Sequence, residues 1–383
     1  MVKPEPLWDV VEEHLDEAEF LWDQWEHGLV APNYTLDELA DGPEARLLAH
    51  IDGLVVHGTH AATRLLLPAL EAEETGRVSA AATALLLGEL QAGLDALMEV
   101  LRDLPEQRPG LLRALECVPD PQVIPRMQAL LTDDDEEIVA AAARVLHFRR
   151  APIGEALGLL LASDLPEFRA LALRAAPYER EPGKHLRSIH AGLADPDPGV
   201  SAAAIDAGVH LALPAAWAHV ATRGRESGDR DALLWLALRG GPDDRATLLS
   251  ALLEPDRRSA ALWALGFLGT PEAVEAALEW LEDGVNGTLA GELFAAVTGV
   301  DLTDAGLTRS AEDGEDRLAH RPEDDLPHPD AMAVLHFWTA KRCAFTAGQR
   351  YLAGVPWSPG SILAQLRRGR CAGGTLWFRR SRT

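Results

Sequence analysis

Apolar positions along the chain recur at helical spacing, and the pattern is clearest in Pro255–Asp283, PDRRSAALWALGFLGTPEAVEAALEWLED. Ala261, Leu262, Leu265 and Leu268 form one stripe at a 3.6-residue period, and Val274, Ala277, Leu278 and Leu281 form a second. Between them, Gly269 suits a left-handed helix end because it has no Cβ to clash. Thr270 then caps the next helix, with Pro271 at its first position, where a missing N–H costs nothing. A hairpin this short cannot bury both stripes alone, so the pattern predicts stacking on copies of itself.

Copies are visible upstream. A polar turn carrying an acid, and often Pro, precedes a small-residue helix at GRVSAAATALL after Gly76, DDDEEIVAAAARVL after Asp133 and SDLPEFRALALRAA after Ser163. It returns at ADPDPGVSAAAIDAG after Ala194, GDRDALLWLALRG after Gly228 and EPDRRSAALWALG after Glu254. Asp133, Asp164, Asp195, Asp229 and Asp256 lie 31, 31, 34 and 27 residues apart. A stretch around Pro105–Arg113 fills the gap between the earlier turns, for about six to seven two-helix hairpins. In each, the turn Asp or Ser is expected to cap the following helix, and Ala140–Ala143 and Ala202–Ala204 let neighbouring helices approach closely. The array resembles the short HEAT-like repeat of the phycobilin (PBS) lyase group, which implies an all-α protein, an α-solenoid of two-helix repeats.

The flanks differ from the array. Residues 5–28 predict one strong helix with Leu7, Val11, Leu15, Ala18, Trp22 and Trp25 on its apolar face. Thr35 and Glu38 fit a capping box, and a helix from about Arg46 to Val56 ends at Gly58. Residues 1–74 therefore read as an N-terminal helical cap and 75–290 as the repeat array. Residues 291–383 read as a C-terminal segment with an acidic, breaker-rich loop at 308–329 and a basic tail. Within it, Ala331–Ala340 and Pro359–Arg368 read as helices.

Charge sharpens this picture. The formal net charge is −25, but nine of the 35 Lys and Arg residues fall in 341–383, which has no Asp or Glu. Residues 1–340 thus hold 26 basic against 60 acidic residues, or −34. Such a body repels phosphate backbones, so no nucleic acid is expected; it suits solubility or a basic protein partner. The basic tail is expected to dock on the acidic body. Three scattered cysteines, Cys117, Cys343 and Cys371, show no CxxC spacing, which fits a reducing compartment. With no signal-peptide pattern and no apolar run of about 18 residues, a cytoplasmic location without membrane insertion is expected.

Candidate chemistry is sparse. His57-Gly-Thr-His60 has HxxH spacing, but Gly58 breaks the helix such a ligand pair needs, so turn histidines are expected. The acid runs Asp133–Glu137 and Glu323–Asp325 lack the alternating ligands and central Gly of a calcium loop. No GxSxG, Walker-type or GxGxxG motif occurs, so no catalytic, cofactor or metal residue is singled out. Trp217, Trp235, Trp263 and Trp280 recur in successive hairpins, as gap fillers or as an aromatic face for a partner, with Trp235 and Trp263 the favoured contacts. Near the C-terminus, Trp338, Gln349, Arg350, Tyr351 and Trp357 cluster with basic residues. Arg350, Tyr351 and Trp357 are the polar and stacking groups of an alternative reading, an enzyme or small-ligand-binding protein with its pocket between the repeat array and the 331–370 segment.

A closer resemblance is carried by HLDEAEFLWDQW (14–25), YTLDELADGPEARLLAHIDGL (34–54), ELFAAVTGVDL (292–302), DDLPHPD (324–330) and AGQRYLAG (347–354). With the array, these are similar to an uncharacterised bacterial HEAT-repeat family often encoded near type VI secretion genes. An array without a catalytic motif points to a non-enzymatic protein-binding scaffold, and the gene neighbourhood that the resemblance implies suggests a type VI secretion accessory, effector adaptor or immunity-type protein. The family pattern continues after LRRGR with an Ala-rich helix, whereas CAGGTLWFRRSRT (371–383) has no helical periodicity, so the C-terminal cap is expected to differ.

Overall fold

The computed structural model describes residues 6–31, 34–88, 91–226, 229–310 and 326–368. It is mostly helical, and its described strands are one antiparallel pair, Tyr351–Leu352 with Val355–Pro356. Contacts divide the described residues into two compact units, one of residues 6–29 with Asp37–Leu213, the other of residues 30–36 with 214–368. The stretch read as one array, 75–290, is thus shared between two units. Residues 371–383, the centre of the acidic loop and the Glu323–Asp325 run lie outside the described residues.

In the first unit the opening helix, Trp8–Gly28, buries Val11, Leu15, Ala18, Leu21 and Trp22. It packs on helices Ala45–Val56 and Thr75–Leu87. Pro43, which cannot donate a backbone hydrogen bond, sits in the wide turn Ala40–Glu44 that leads into Ala45–Val56. Val78 to Leu86 of Thr75–Leu87 are all buried, so this helix is enclosed on every side rather than half-solvated.

A row of helices follows. Thr75–Leu87 packs on Arg108–Cys117, then come Glu136–Phe148, Pro166–Ala175 and Pro198–His210, each touching its predecessor. A second set, Gln91–Asp103, Val123–Leu130, Ala156–Leu161 and Leu186–Gly192, supplies one partner to each later member of the row. Small buried residues, Ala80–Ala82, Ala140–Ala143, Ala203 and Ala204, fill the row's contacts. Polar links between neighbouring layers recur at a near-constant offset. Ser79 Oγ donates to the Gly110 carbonyl and Arg102 pairs with Asp133, each across 31 residues. Arg126 pairs with Asp95, also across 31, Arg108 with Glu137 across 29, and Arg144 with Glu116 across 28.

The second unit repeats the plan. Arg230–Arg239, Pro255–Leu268 and Gly287–Thr298 form a row, paired with Pro214–Glu226, Pro242–Ala251 and Pro271–Ala277. Pro255–Leu268 ends at Gly269 with φ +69°, and the Thr270 hydroxyl accepts from the Ala273 N–H at 3.3 Å to open the next helix, as the pattern of that hairpin predicts. After the row, Asp330 caps helix Ala331–Lys341 through its carboxylate and the Ala333 N–H. The strand pair and helix Pro359–Arg368 follow. No helix among the described residues is long and apolar enough to cross a membrane.

Candidate functional site

Three stretches singled out near the C-terminus come together in the second unit. Phe294 of ELFAAVTGVDL meets Trp338 and Phe337 edge-on, with centroids 6.1 and 6.0 Å apart. Pro329 of DDLPHPD lies against Gly291, and Thr308 bridges back to it. AGQRYLAG then crosses the carboxyl ends of the row. Tyr351 donates its N–H to Gly269 O at 2.7 Å, Ala353 to Ala296 O at 2.7 Å, and Gly354 to Val297 O at 2.9 Å. Ala353 and Gly354 have φ of +49° and +78°, the paired left-handed residues of a type I′ hairpin turn.

Arg350 organises this clasp. Its Nε donates to Leu268 O at 2.9 Å, Nη2 to Phe267 O at 2.7 Å and Nη1 to Leu238 O at 3.0 Å. Those carbonyls close helices Pro255–Leu268 and Arg230–Arg239, where intrahelical partners run out and the helix dipole favours a cation. The Arg350 guanidinium also lies 4.6 Å from the Trp357 ring centroid. Burial, with the nearby Arg245 charge, pushes the Arg350 pKa down from its ordinary value. The Tyr351 hydroxyl accepts from Thr346 N at 2.8 Å and donates to Gln349 Oε1 at 3.3 Å. Gly348 N donates to Glu272, and Arg342 pairs with Glu275. The Arg350 guanidinium is thus taken up by three carbonyls and the Trp357 ring, while the Tyr351 hydroxyl is bonded to Thr346 and Gln349.

The four tryptophans of the array are placed differently. Trp235 is buried at 6% exposure, whereas Trp217, Trp263 and Trp280 are half-buried. Arg230 stacks 4.0 Å from the Trp263 centroid, beside Phe267 at 5.3 Å, and Arg258 stacks 3.7 Å from that of Trp280. Each guanidinium covers one face of its ring.

One cluster has no signature in the sequence. In the first unit, Arg113 pairs with Glu26 and Glu116, and Arg144 binds the second Glu116 oxygen at 2.8 Å. Burial acts to lower the Arg113 pKa, but the Cys117, Glu26 and Glu116 charges outweigh it and hold the value above ordinary. Glu26 and Arg113 are 87 residues apart, beyond the reach of any local pattern. A cavity of about 260 Å³ beside Met98, Glu99, Arg102, Arg126, Ala129 and Leu130 has its two arginines tied to Asp133 and Asp95. His57 is half-buried and His60 exposed. Among the described residues no group of three or more His, Cys, Asp or Glu gathers to hold a metal ion.

These features define a helical protein whose polar side chains mostly tie one helix to another. No family model matches the chain, and no curated protein matches it. Among solved structures it is similar to an engineered protein, at 18% identity over 85% of this chain and 94% of that one, with a TM-score of 0.26. It is also similar to human deoxyhypusine hydroxylase in complex with glycerol, at 17% identity over 72% of this chain and 94% of that one, with a TM-score of 0.21. Overlaps this low carry no argument about what the chain does.

Proposed function

We propose that the protein is a non-enzymatic α-solenoid of HEAT-like repeats with distinct N- and C-terminal caps, and that it binds another protein. The observation that carries this reading is the offset of the interlayer links. Hydrogen bonds and ion pairs join residues 28 to 31 positions apart in the first unit, and Arg257 reaches the Arg225 carbonyl across 32 in the second. A chain whose layers touch at a recurring offset extends by stacking and offers a surface for a partner. The charge of −34 on residues 1–340 fits a basic partner. The family resemblance supports a role as a type VI secretion accessory, effector adaptor or immunity-type protein.

The test is affinity capture of the tagged protein from its native lysate at low and high salt, then reconstitution with the purified candidate. One stoichiometric basic partner, released as salt rises, is the expected result. A partner-free protein, or a partner held equally at both salts, would overturn the charge argument. Trp263→Ala and Trp280→Ala should weaken that complex by roughly tenfold or more while leaving the fold intact. Trp235→Ala removes a buried ring, so its effect reports on packing.

A further inference from the structure

Two stretches singled out in the sequence, 14–25 and 34–54, are joined in the structure through a pair of histidines. His14, on helix Trp8–Gly28, and His50, on helix Ala45–Val56, point their Nδ1 atoms at one another across 3.1 Å. The rings meet edge to face, with centroids 5.1 Å apart and planes at 70°. Both residues are half-buried at a seam lined by Val11, Leu15, Ile51 and Leu54.

We propose that His14 and His50 form an inter-helix chelate for a divalent cation of the zinc class. Without a cation, this contact requires one imidazole to carry its proton on Nδ1 and the other to present a bare Nδ1. A cation uses both lone pairs at once. With zinc–nitrogen bonds of about 2.0–2.1 Å, nitrogens 3.1 Å apart subtend about 98° at the metal, between octahedral and tetrahedral values. Opening the pair by about 0.3 Å reaches the tetrahedral angle. Imidazole is the common ligand of zinc, copper and nickel, whereas magnesium and calcium select oxygen.

Gly53 holds the pair in place. A Cβ there would lie 2.8 Å from Cδ2 and Nε2 of His14, so only glycine lets this ring rest against the second helix. No third His, Cys, Asp or Glu completes a larger group among the described residues, so the remaining coordination positions belong to water. The bound ion would cross-link two helices whose ligands are 36 residues apart.

The experiment is calorimetric titration of the full-length protein with Zn²⁺ at neutral pH, paired with X-ray absorption of the one-equivalent complex. One binding event is expected, with two imidazole nitrogens in the metal's shell and a raised melting temperature. His14→Gln and His50→Gln should each weaken it by roughly tenfold or more, because a chelate loses its second attachment. Gly53→Ala keeps both ligands but displaces the His14 ring, and should weaken binding less. His57→Gln with His60→Gln should leave it unchanged. No binding, wild-type binding in either single variant, or a shell holding fewer than two imidazoles would overturn the assignment. If His14→Gln fails to fold, the wild-type absorption spectrum and His50→Gln still decide.

Discussion

At the scale of single residues, arginine does most of the joining. The chain holds 32 Arg and three Lys, and the structure shows what the fork of a guanidinium accomplishes. Arg108 reaches back to the Leu101 carbonyl, Arg169 to that of Ser163 and Arg258 to that of Leu252, each closing the helix end just before its own helix. Arg149 does the same for Leu115 and Val118 in the preceding layer. Arg350 serves three carbonyls, so Arg350→Ala should cost about 2–3 kcal/mol in a denaturant titration. Arg350→Lys should recover little of it, since an ammonium cannot span carbonyls on two helices. Full recovery by lysine would show that charge alone matters. A different residue-level cost sits at Ala212, which takes φ +55° at a helix end closed by Leu213 N donating to Gly208 O. Ala212→Gly should therefore raise stability by about 0.5–1 kcal/mol. A lower melting temperature would refute that.

At the scale of the element, the turns divide labour in a way the sequence pattern conceals. A turn aspartate caps the following helix at Asp135, Asp197 and Asp229, as expected, while an earlier acid can hold the turn itself: Asp133 accepts from Asp135 N and Asp195 from Asp197 N. The cap is the second aspartate, Asp135 or Asp197, two positions on. At 163–165 Ser163 holds the turn and Leu165 opens the helix with no side-chain cap, and at Glu254 the side chain does not cap either. Spacing alone cannot separate two acids that both lie within one turn, so the sequence pattern does not say which of them caps. Asp197→Ala should cost about 1 kcal/mol. Asp195 behaves differently with pH. The Asp197 N–H and the Arg169 ion pair hold its carboxyl below the usual carboxylate range. A depressed acid stabilises the fold fully above its unfolded value, about 3.9, and that contribution disappears as pH falls through the lower folded value. Asp195→Asn should therefore be less stable than wild type at neutral pH, with the gap closing in strong acid. A gap of equal size at both ends would remove the ion pair from the account.

At the scale of the molecule, what was legible from sequence and what was not have a common cause. The hairpin around Gly269 is written in its own residues: a helical stripe, a residue free to take positive φ, a hydroxyl and a proline in order. Helix bounds such as Pro255–Leu268 and Ala331–Lys341 follow from patterns that fit inside one window. The Trp spacing was equally visible, but which rings meet solvent depends on neighbours in other layers, and Trp235 is buried where Trp263 is not. Partnerships such as Glu26 with Arg113, or His14 with His50, join residues 87 and 36 apart and leave no local trace.

The Arg350 clasp bears on how the chain is made. Its three acceptors lie 82, 83 and 112 residues earlier. A ribosome adding about 5–20 residues per second leaves those helix ends open for several seconds before residue 350 emerges. During synthesis, then, the second unit grows from a row whose carbonyl ends face water until that one arginine arrives.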